Sequence, residues 1–307
     1  MMVANASKKT KKNNSSTNAM DKVGVTDIVM AIILLLLCLT CILPFIHTAA
    51  KSISSNTEVL ARNVYLIPKD INFDAYISLL KDGSMVYSII YSVIVTLVFT
   101  GLGMLVTICA AYPLSKKRLK GRKVLTFVFM FPMYFSAGLI PQYLLYRDLN
   151  ILNTVWVLIF PLIYSAYNML IMKTYFQSNL PDSLEESAVL DGATDFQILL
   201  RIALPISKPI MATLTLFLAV GRWNSYADNM YFIRDEKLKM VQYKLYQMVS
   251  SATEAQTTSL SEAAVVTSTP EVLQAAAVMF VTIPIIIIYP FLQKYFVKGV
   301  MIGAVKG

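Results

Sequence analysis

The chain has 307 residues, of which 56% are hydrophobic and only 15% are charged. Average soluble proteins have about 45–50% apolar and about 25% charged residues, so this composition excludes disordered and collagen-like chains and favours a helical membrane protein. The formal net charge is +9, which basic cytoplasmic loops explain without any binding of nucleic acid.

Six stretches approach the ~20 apolar residues that a helix needs to cross a hydrocarbon core of about 30 Å. The first has an apolar run longer than the ~7–15 residues of a cleaved signal peptide. We therefore expect a basic, disordered cytoplasmic tail at residues 1–26 and one transmembrane domain at residues 27–307. The predicted spans are residues 27–47, 86–114, 124–145, 154–177, 210–231 and 272–295.

Basic residues predict the orientation of these spans. If both termini are cytoplasmic, the cytoplasmic segments hold 17 lysines and arginines when Lys173 and Lys294 at the adjoining span ends are counted with them, and the external segments hold 9. Because basic residues concentrate in cytoplasmic loops, we expect a multi-pass plasma-membrane protein with both termini inside. The external loop 232–271 includes the polar stretch 250–269, which we interpret as exposed chain with little fixed structure.

The cytoplasmic segment 180–209 is too polar to cross a membrane and carries two helix-start signals. Ser183 with Glu186, and Thr194 with Gln197, have capping-box spacing. In such a box the hydroxyl accepts from the third helical amide, and the Glu or Gln accepts from the amide of the cap. The predicted helices are residues 184–190 and 195–203.

Glycine and proline set the expected geometry around these helices. Asp191-Gly192 predicts a bend between them, because glycine adopts the left-handed conformation that ends a helix. Pro205 disfavours helical geometry at Leu204, so we expect the path into the fifth span to be interrupted there.

The inventory of reactive side chains argues against an enzyme. His47 is the one histidine, which excludes any zinc site built on two histidines. The sequence has no Gly-x-x-x-x-Gly-Lys-Ser/Thr string, so we expect no nucleotide, metal or other cofactor in this chain. Cys38, Cys41 and Cys109 lie in apolar runs, where thiols usually act as small hydrophobic groups.

The cytoplasmic segment also resembles a family signature. Glu186-Ser187-Ala188, Gly192 and Ile202-Ala203-Leu204-Pro205 have the spacing of E-A-A-x3-G-x9-I-x-L-P, with Ser187 replacing the first alanine. This signature is typical of permease subunits of binding-protein-dependent ABC importers. Further strings resemble the carbohydrate-uptake branch, namely the maltose permeases and their polysaccharide-type relatives. These strings are residues 111–115, 138–141, 221–225 and 295–307.

The resemblance implies an all-α membrane protein with six transmembrane helices and the fold of a type I ABC importer transmembrane domain. Segment 183–205 would couple this permease to a cytoplasmic ABC ATPase dimer that binds ATP and magnesium. A second permease subunit would form a heterodimer with it in the lipid bilayer, and an extracellular solute-binding protein would deliver a sugar or oligosaccharide. The implied ATPase-coupling residues are Ser183, Leu184, Glu185, Glu186, Ser187, Ala188, Asp191, Gly192, Ala193, Ile202, Leu204 and Pro205.

Residue chemistry supports part of this docking. Leu184 and Ala188 are four apart and share one helical face, and nearby carboxylates add charge, so the segment could enter a partner groove through apolar and ionic contacts. The alternative is a polar interfacial helix that only caps the bundle.

The fifth span becomes polar towards its outer end. At about 1.5 Å per residue, Arg222 lies roughly 18 Å beyond Ile210, so it should face protein or water rather than lipid. Helical spacing gives a polar and aromatic stripe that would suit sugar hydroxyls and ring faces; the alternatives are packing against the partner permease or an interfacial anchor. The candidate substrate-path residues are Thr215, Arg222, Trp223, Asn224, Tyr226 and Asn229.

The competing hypothesis is a stand-alone secondary transporter or channel. Ion coupling would require carboxylates inside the spans, and Asp228 is the only acidic residue near the middle or outer part of a predicted span. The sequence leaves the identity of the solute open, including a peptide or another oligomer.

Overall fold

The computed structural model describes residues 24–258 and 270–304. The predicted tail up to residue 23 and residues 259–269 of the external loop lie outside this range. The described residues form fourteen α-helices and no strand. The helices are α1 (Val25–Ser52), α2 (Asn56–Leu60), α3 (Asp74–Asp82), α4 (Ser84–Ser115), α5 (Arg122–Tyr134), α6 (Leu139–Asp148), α7 (Ala166–Asn179), α8 (Asp182–Leu190), α9 (Asp195–Ile198), α10 (Leu204–Ile206), α11 (Lys208–Asn224), α12 (Ala227–Phe232), α13 (Val241–Thr258) and α14 (Pro270–Ala304).

The chain divides into two units, Met1–His47 and Thr48–Gly307. The first contains most of α1, whose most apolar window has no buried residue. A helix with apolar side chains exposed along its length is suited to a lipid environment.

The predicted spans differ in how straight they are. Two helices, Thr26–Ser52 and Ser84–Ser115, are long and apolar enough to cross a membrane alone. The third predicted span is broken, because α5 and α6 are bent by 113° around a turn where Gly138 has φ +85°. The fourth consists of two 3₁₀ turns at Val155–Leu162 that meet α7 at 47°.

The last two predicted spans also differ from single straight helices of the expected length. The fifth is interrupted after Asn224, and the chain resumes as α12. The sixth predicted span lies within α14, which is 35 residues long. The expectation of little fixed structure in 250–269 is wrong for residues 250–258, since they complete α13.

The second unit is organised around α4, which packs mainly on α7 and α11. One face of α4 has small or hydroxyl side chains every three or four positions, which permits close helix packing. A Cβ atom added to Gly103 would lie 3.4 Å from the Ile163 carbonyl oxygen. The buried residues of this face are Ser88, Ser92, Thr96, Thr100, Gly103, Thr107 and Ala111.

Large apolar side chains complete this core towards the end of α4. Tyr112 and Phe176 meet edge to face, with ring centroids 5.6 Å apart. Met169 and Met172 of α7 and Leu214 of α11 are fully buried in the same cluster. This packing holds the C-terminal ends of α4 and α7 together, and the predicted coupling segment begins just after α7.

Candidate functional site

The predicted coupling segment forms the expected pair of short helices, α8 and α9. Thr194 and Gln197 make a reciprocal capping box: the Thr194 amide donates to Gln197 Oε1 at 2.9 Å, and the Gln197 amide donates to Thr194 Oγ1 at 3.4 Å. Gly192 has φ +83° and provides the bend. The second capping box and the glycine bend are therefore confirmed.

The first capping box is not formed. Helix α8 begins at Asp182, two residues earlier than predicted, after an extended Pro181, and it has no side-chain cap. Ser183 lies inside the first turn, and its carbonyl oxygen accepts a hydrogen bond from Ser187 Oγ at 2.9 Å. Its hydroxyl is therefore in the wrong place for the predicted interaction.

The expected effect of Pro205 on Leu204 is also wrong. Leu204 has helical angles, φ −65° and ψ −44°. The preceding residues Leu199–Ala203 form a π-helical turn, in which the Leu204 amide donates to the Leu199 carbonyl oxygen. The wider turn accommodates the proline, and the main change of direction comes after it, as an 82° bend into α11.

The implied coupling residues divide by exposure. Ala188 is buried within the chain at 8% exposure, so Leu184 and Ala188 do not form one outward apolar face. Leu190 and Phe196, 87% and 67% exposed, were missed and supply the apolar surface instead. The exposed members are Ser183, Leu184, Glu186, Ser187, Asp191, Gly192 and Pro205, and the partly buried members are Glu185, Ala193, Ile202 and Leu204.

Three consecutive basic residues after α4 pair with carboxylates of the coupling helices. Lys117 Nζ donates to Asp182 Oδ2 at 2.7 Å, and this hydrogen bond, with the Lys117 charge second, lowers the pKa of Asp182. The other two pairs are Lys116–Glu185 and Arg118–Asp195. From the sequence, the basic loop 116–123 counted only towards the orientation of the spans. The i, i+3 spacing of Asp182 and Glu185 on α8 was the available signal that one helical face could pair with this loop.

Two clefts lie beside these pairs. One of about 540 Å³ separates the basic loop from α8, and its outer wall includes Glu186 and Leu190. The other, of about 560 Å³, lies between the loop and α9 and includes Phe196. The surface of α8, α9 and the loop after α4 thus combines charged walls with exposed apolar side chains, a combination that suits a protein partner.

The outer end of α11 contains a buried charge network. Arg222 is 2% exposed, and its Nη1 donates to Asp228 Oδ2 at 2.5 Å and to the Leu158 carbonyl oxygen at 3.0 Å. Arg222 Nη2 donates to the Met240 sulfur at 3.1 Å, and Ser225 Oγ donates to Asp228 Oδ1 at 2.8 Å. Arg222 therefore faces protein, as expected.

The other substrate-path candidates do not lie on one continuous helical stripe, because the helix breaks at Ser225 and Tyr226. Asn229 is buried and donates to the Leu238 carbonyl oxygen at 3.1 Å. Trp223 is buried in an apolar cluster with residues of α3, α13 and α14. Thr215 is half-buried, and Asn224 and Tyr226 are exposed.

An aromatic surface continues from Tyr226 onto α13. The Tyr226 and Tyr246 rings are stacked 4.9 Å apart, and Tyr243 and Tyr246 are 6.4 Å apart with an interplanar angle of 14°. Gln242 Nε2 donates to Asn224 Oδ1 at 3.4 Å beside them. The tyrosines of α13 were missed, although their i, i+3 spacing was visible in the sequence.

Comparisons with known proteins agree with this architecture. Residues 100–302 match the family described as "Binding-protein-dependent transport system inner membrane component". The polygalacturonan/rhamnogalacturonan transport system permease protein YtcP of Bacillus subtilis is 39% identical over 275 residues, which cover 89% of this chain and 96% of the relative. Protein LplC of the same organism is 38% identical over 87% of this chain and 90% of its own length.

A solved structure extends the likeness to the fold. The crystal structure of a bacterial ABC transporter involved in the import of the acidic polysaccharide alginate contains a chain that matches with a TM-score of 0.80 and 33% identity, over 92% of this chain and 100% of that chain. These findings confirm the importer-type fold and do not favour a stand-alone transporter or channel. The chain belongs to the inner-membrane permease family of binding-protein-dependent ABC importers, multi-pass proteins that work with a binding protein and an ATPase.

Proposed function

We propose that this chain forms half of the translocation path of an ATP-driven bacterial importer for an oligosaccharide, together with a different permease subunit as a heterodimer. An extracellular binding protein delivers the solute, and a cytoplasmic ATPase dimer holds ATP and magnesium. The observation that carries this proposal is the capped, bent α8–α9 segment on a chain of this family. YtcP is named as a polygalacturonan/rhamnogalacturonan transport system permease, and the transporter of the solved structure is involved in alginate import, which supports a carbohydrate solute.

The exposed part of the coupling segment is suited to docking on the ATPase. Leu190 and Phe196 offer apolar area, and Glu186 adds an exposed carboxylate. An apolar contact surrounded by charges is a common arrangement at protein interfaces. The ATPase-coupling role therefore rests on the exposed residues of the signature, and the partly buried ones support them.

The exposed tyrosines form the best-supported part of the solute path. Stacked Tyr226 and Tyr246 present ring surface, and Asn224 and Gln242 present amides. Pyranose rings combine apolar C–H faces with hydroxyls, so this surface offers both kinds of contact. Arg222 acts on this surface indirectly, since its hydrogen bonds are all made within the chain.

The basic count supports a cytoplasmic location for both termini and for the loop after α4. In a cysteine-free background, Lys120→Cys should resist an impermeant thiol reagent added to intact cells, whereas Lys237→Cys should react. Labelling of the position 120 cysteine from outside would reject this orientation.

Co-purification and transport test the main proposal. The tagged permease should co-purify with an ABC ATPase and a second permease in fixed ratio. Vesicles with the binding protein outside should accumulate oligogalacturonide or alginate oligomers only when ATP is inside. Solute flux through vesicles containing this chain alone would support a stand-alone transporter and overturn the proposal.

The aromatic surface has its own test. Tyr226→Ala and Tyr246→Ala should each lower uptake while the assembled complex stays at its normal amount, because both side chains are partly exposed. Tyr134→Ala is the matched control, as its ring is 78% exposed on α5. Normal uptake by both variants would remove this surface from the solute path.

A further inference from the structure

The end of α4 is joined to the coupling segment by one pair of charges that is largely shielded from solvent. The Lys116 and Glu185 side chains are paired with exposures of only 12% and 14%. The Lys116 ammonium also lies 4.1 Å from the centre of the Tyr112 ring. Tyr112 itself packs on Phe176 of α7, so Lys116 is held by the core of the second unit.

The neighbouring pairs are different in kind. The side chains of Lys117 and Asp182 are 79% and 64% exposed, and those of Arg118 and Asp195 are 57% and 68% exposed. Exposed ion pairs are screened by water and contribute little, whereas breaking a shielded pair leaves a charge without compensation. Lys116–Glu185 is therefore the contact that matters most for the position of α8.

One face of α8 points into the protein and the other is exposed. Glu185 and Ala188 are three positions apart, so both point towards the chain, and Ala188 is buried. Glu186 points outward and is exposed. The inward carboxylate is thus unavailable to a docked partner, while the outward one remains free to contact it.

The pKa of Lys116 is set by burial and by the charged groups around it. Burial, with the nearby Arg118 charge second, lowers the pKa of Lys116 to about 8. The carboxylates of Asp182 and Asp195 oppose this shift, because they favour the charged form of the ammonium. An arginine at this position would keep its charge without such help.

We propose that the Lys116–Glu185 ion pair is a strut that fixes α8 to the cytoplasmic end of α4, so that movement of the coupling segment is passed directly to this long helix. The chain already connects α8 to α7 and, through the π-helical turn, to α11. The strut adds a connection to α4, the helix on which both of them pack. This inference rests on the proposed docking of α8 on the ATPase, and it makes Lys116 and Glu185 positioning residues for coupling.

The first measurement needs only the full-length permease. Amide hydrogen exchange of residues 182–190 should be at least about tenfold faster in Lys116→Met than in the wild type, because the loss of a shielded partner frees α8. Lys117→Met, at the exposed pair, should change exchange by less than about twofold. Unchanged exchange in Lys116→Met would overturn the strut, whatever the permease does with an ATPase.

The second measurement uses the assembled importer and records solute imported per ATP hydrolysed. Lys116→Met should retain the ATPase but lose most of this ratio, Lys116→Arg should preserve it, and the exchanged pair Lys116→Glu/Glu185→Lys should recover it relative to either single variant. A normal ratio in Lys116→Met, or no recovery in the exchanged pair, would contradict the proposal. If the coupling role of α8 itself were wrong, Gly192→Val would also transport normally, while the exchange measurement would still report on the strut.

Discussion

The coupling segment and the outer end of α11 both hold opposite charges together, but they do so in different environments. At the coupling segment, three basic residues in a row meet carboxylates 65 or more positions away, and two of the three pairs are exposed. At the outer end of α11, Arg222 meets Asp228 only six positions away, and the Arg222 side chain is fully buried. The first arrangement leaves charged groups at a surface that can bind a partner, and the second joins segments of one chain.

The difference shows why a polar residue in a span is an ambiguous signal. Arginine is a residue type expected in a solute-binding site, yet Arg222 donates hydrogen bonds to Asp228, to the Leu158 carbonyl oxygen and to the Met240 sulfur. These contacts connect the end of α11 with the 3₁₀ turns before α7 and with the segment before α13. We therefore expect Arg222 mainly to position the segments that it joins.

The largest expected effect comes from breaking the buried pair. Arg222→Ala leaves Asp228 without its partner, which typically costs about 3–5 kcal/mol, so the amount of folded permease in the membrane should fall strongly. Arg147→Ala is the matched control, because its pair with Asp148 is exposed and worth about 0–1 kcal/mol. Quantitative blotting and detergent-solution melting of both variants measure the effect.

A normal amount of thermally stable Arg222→Ala permease with lost uptake would reverse this interpretation. It would return Arg222 to the solute path, and the two regions would then no longer differ as described. Asp228→Asn is a second test. It should be less unstable than Arg222→Ala, because its amide oxygen can still accept from Arg222 and its NH2 group can donate to the Ser225 hydroxyl.

Sequence reasoning succeeded where the signal was local. Apolar composition found the two long spans Thr26–Ser52 and Ser84–Ser115. The spacing of Thr194 and Gln197 gave the cap, and Gly192 gave the bend. It failed where the outcome depended on distant partners. Lys116 and Glu185 are joined only by the packing of α4 and α7, and the 113° break after α5 lies within a stretch whose composition stays apolar.

The Ser183 error was of another kind. The predicted and observed helix starts, Leu184 and Asp182, lie two residues apart, and Pro181 directly precedes the observed one. Asp182 then stands in the first turn, where the helix dipole favours a carboxylate, and it pairs with Lys117. A capping motif competes with such tertiary contacts, and spacing alone does not show which will prevail.

The next prediction concerns the bend between α8 and α9. No atom lies within 4 Å of a Cβ atom built on Gly192, so crowding is not the obstacle. The obstacle is the φ of +83° at Gly192, because a left-handed conformation costs a residue with a side chain about 1–2 kcal/mol. Gly192→Val should insert normally yet lose the ATPase or lose uptake, as measured by co-purification and vesicle transport.

Gly192→Asn is the control for this bend, since asparagine tolerates the left-handed conformation better than valine. It should preserve more of both readouts. If Gly192→Val behaved like the wild type, the bend would not be needed for docking, and the coupling role of this segment would have to be abandoned.

The smallest effect distinguishes the capping box that forms from the one that does not. Thr194→Ala removes a hydroxyl that accepts from the Gln197 amide, and the loss of such a cap typically costs about 1 kcal/mol. Exchange of the amides of residues 195–198 should therefore accelerate by about fivefold, with uptake only slightly reduced because docking contacts can compensate. Ser183→Ala should leave the exchange of α8 unchanged, because the Ser183 hydroxyl caps nothing and its carbonyl oxygen still accepts from Ser187. Equal effects of the two substitutions would mean that both caps operate in solution, and α8 would then begin where the spacing of Ser183 and Glu186 predicted.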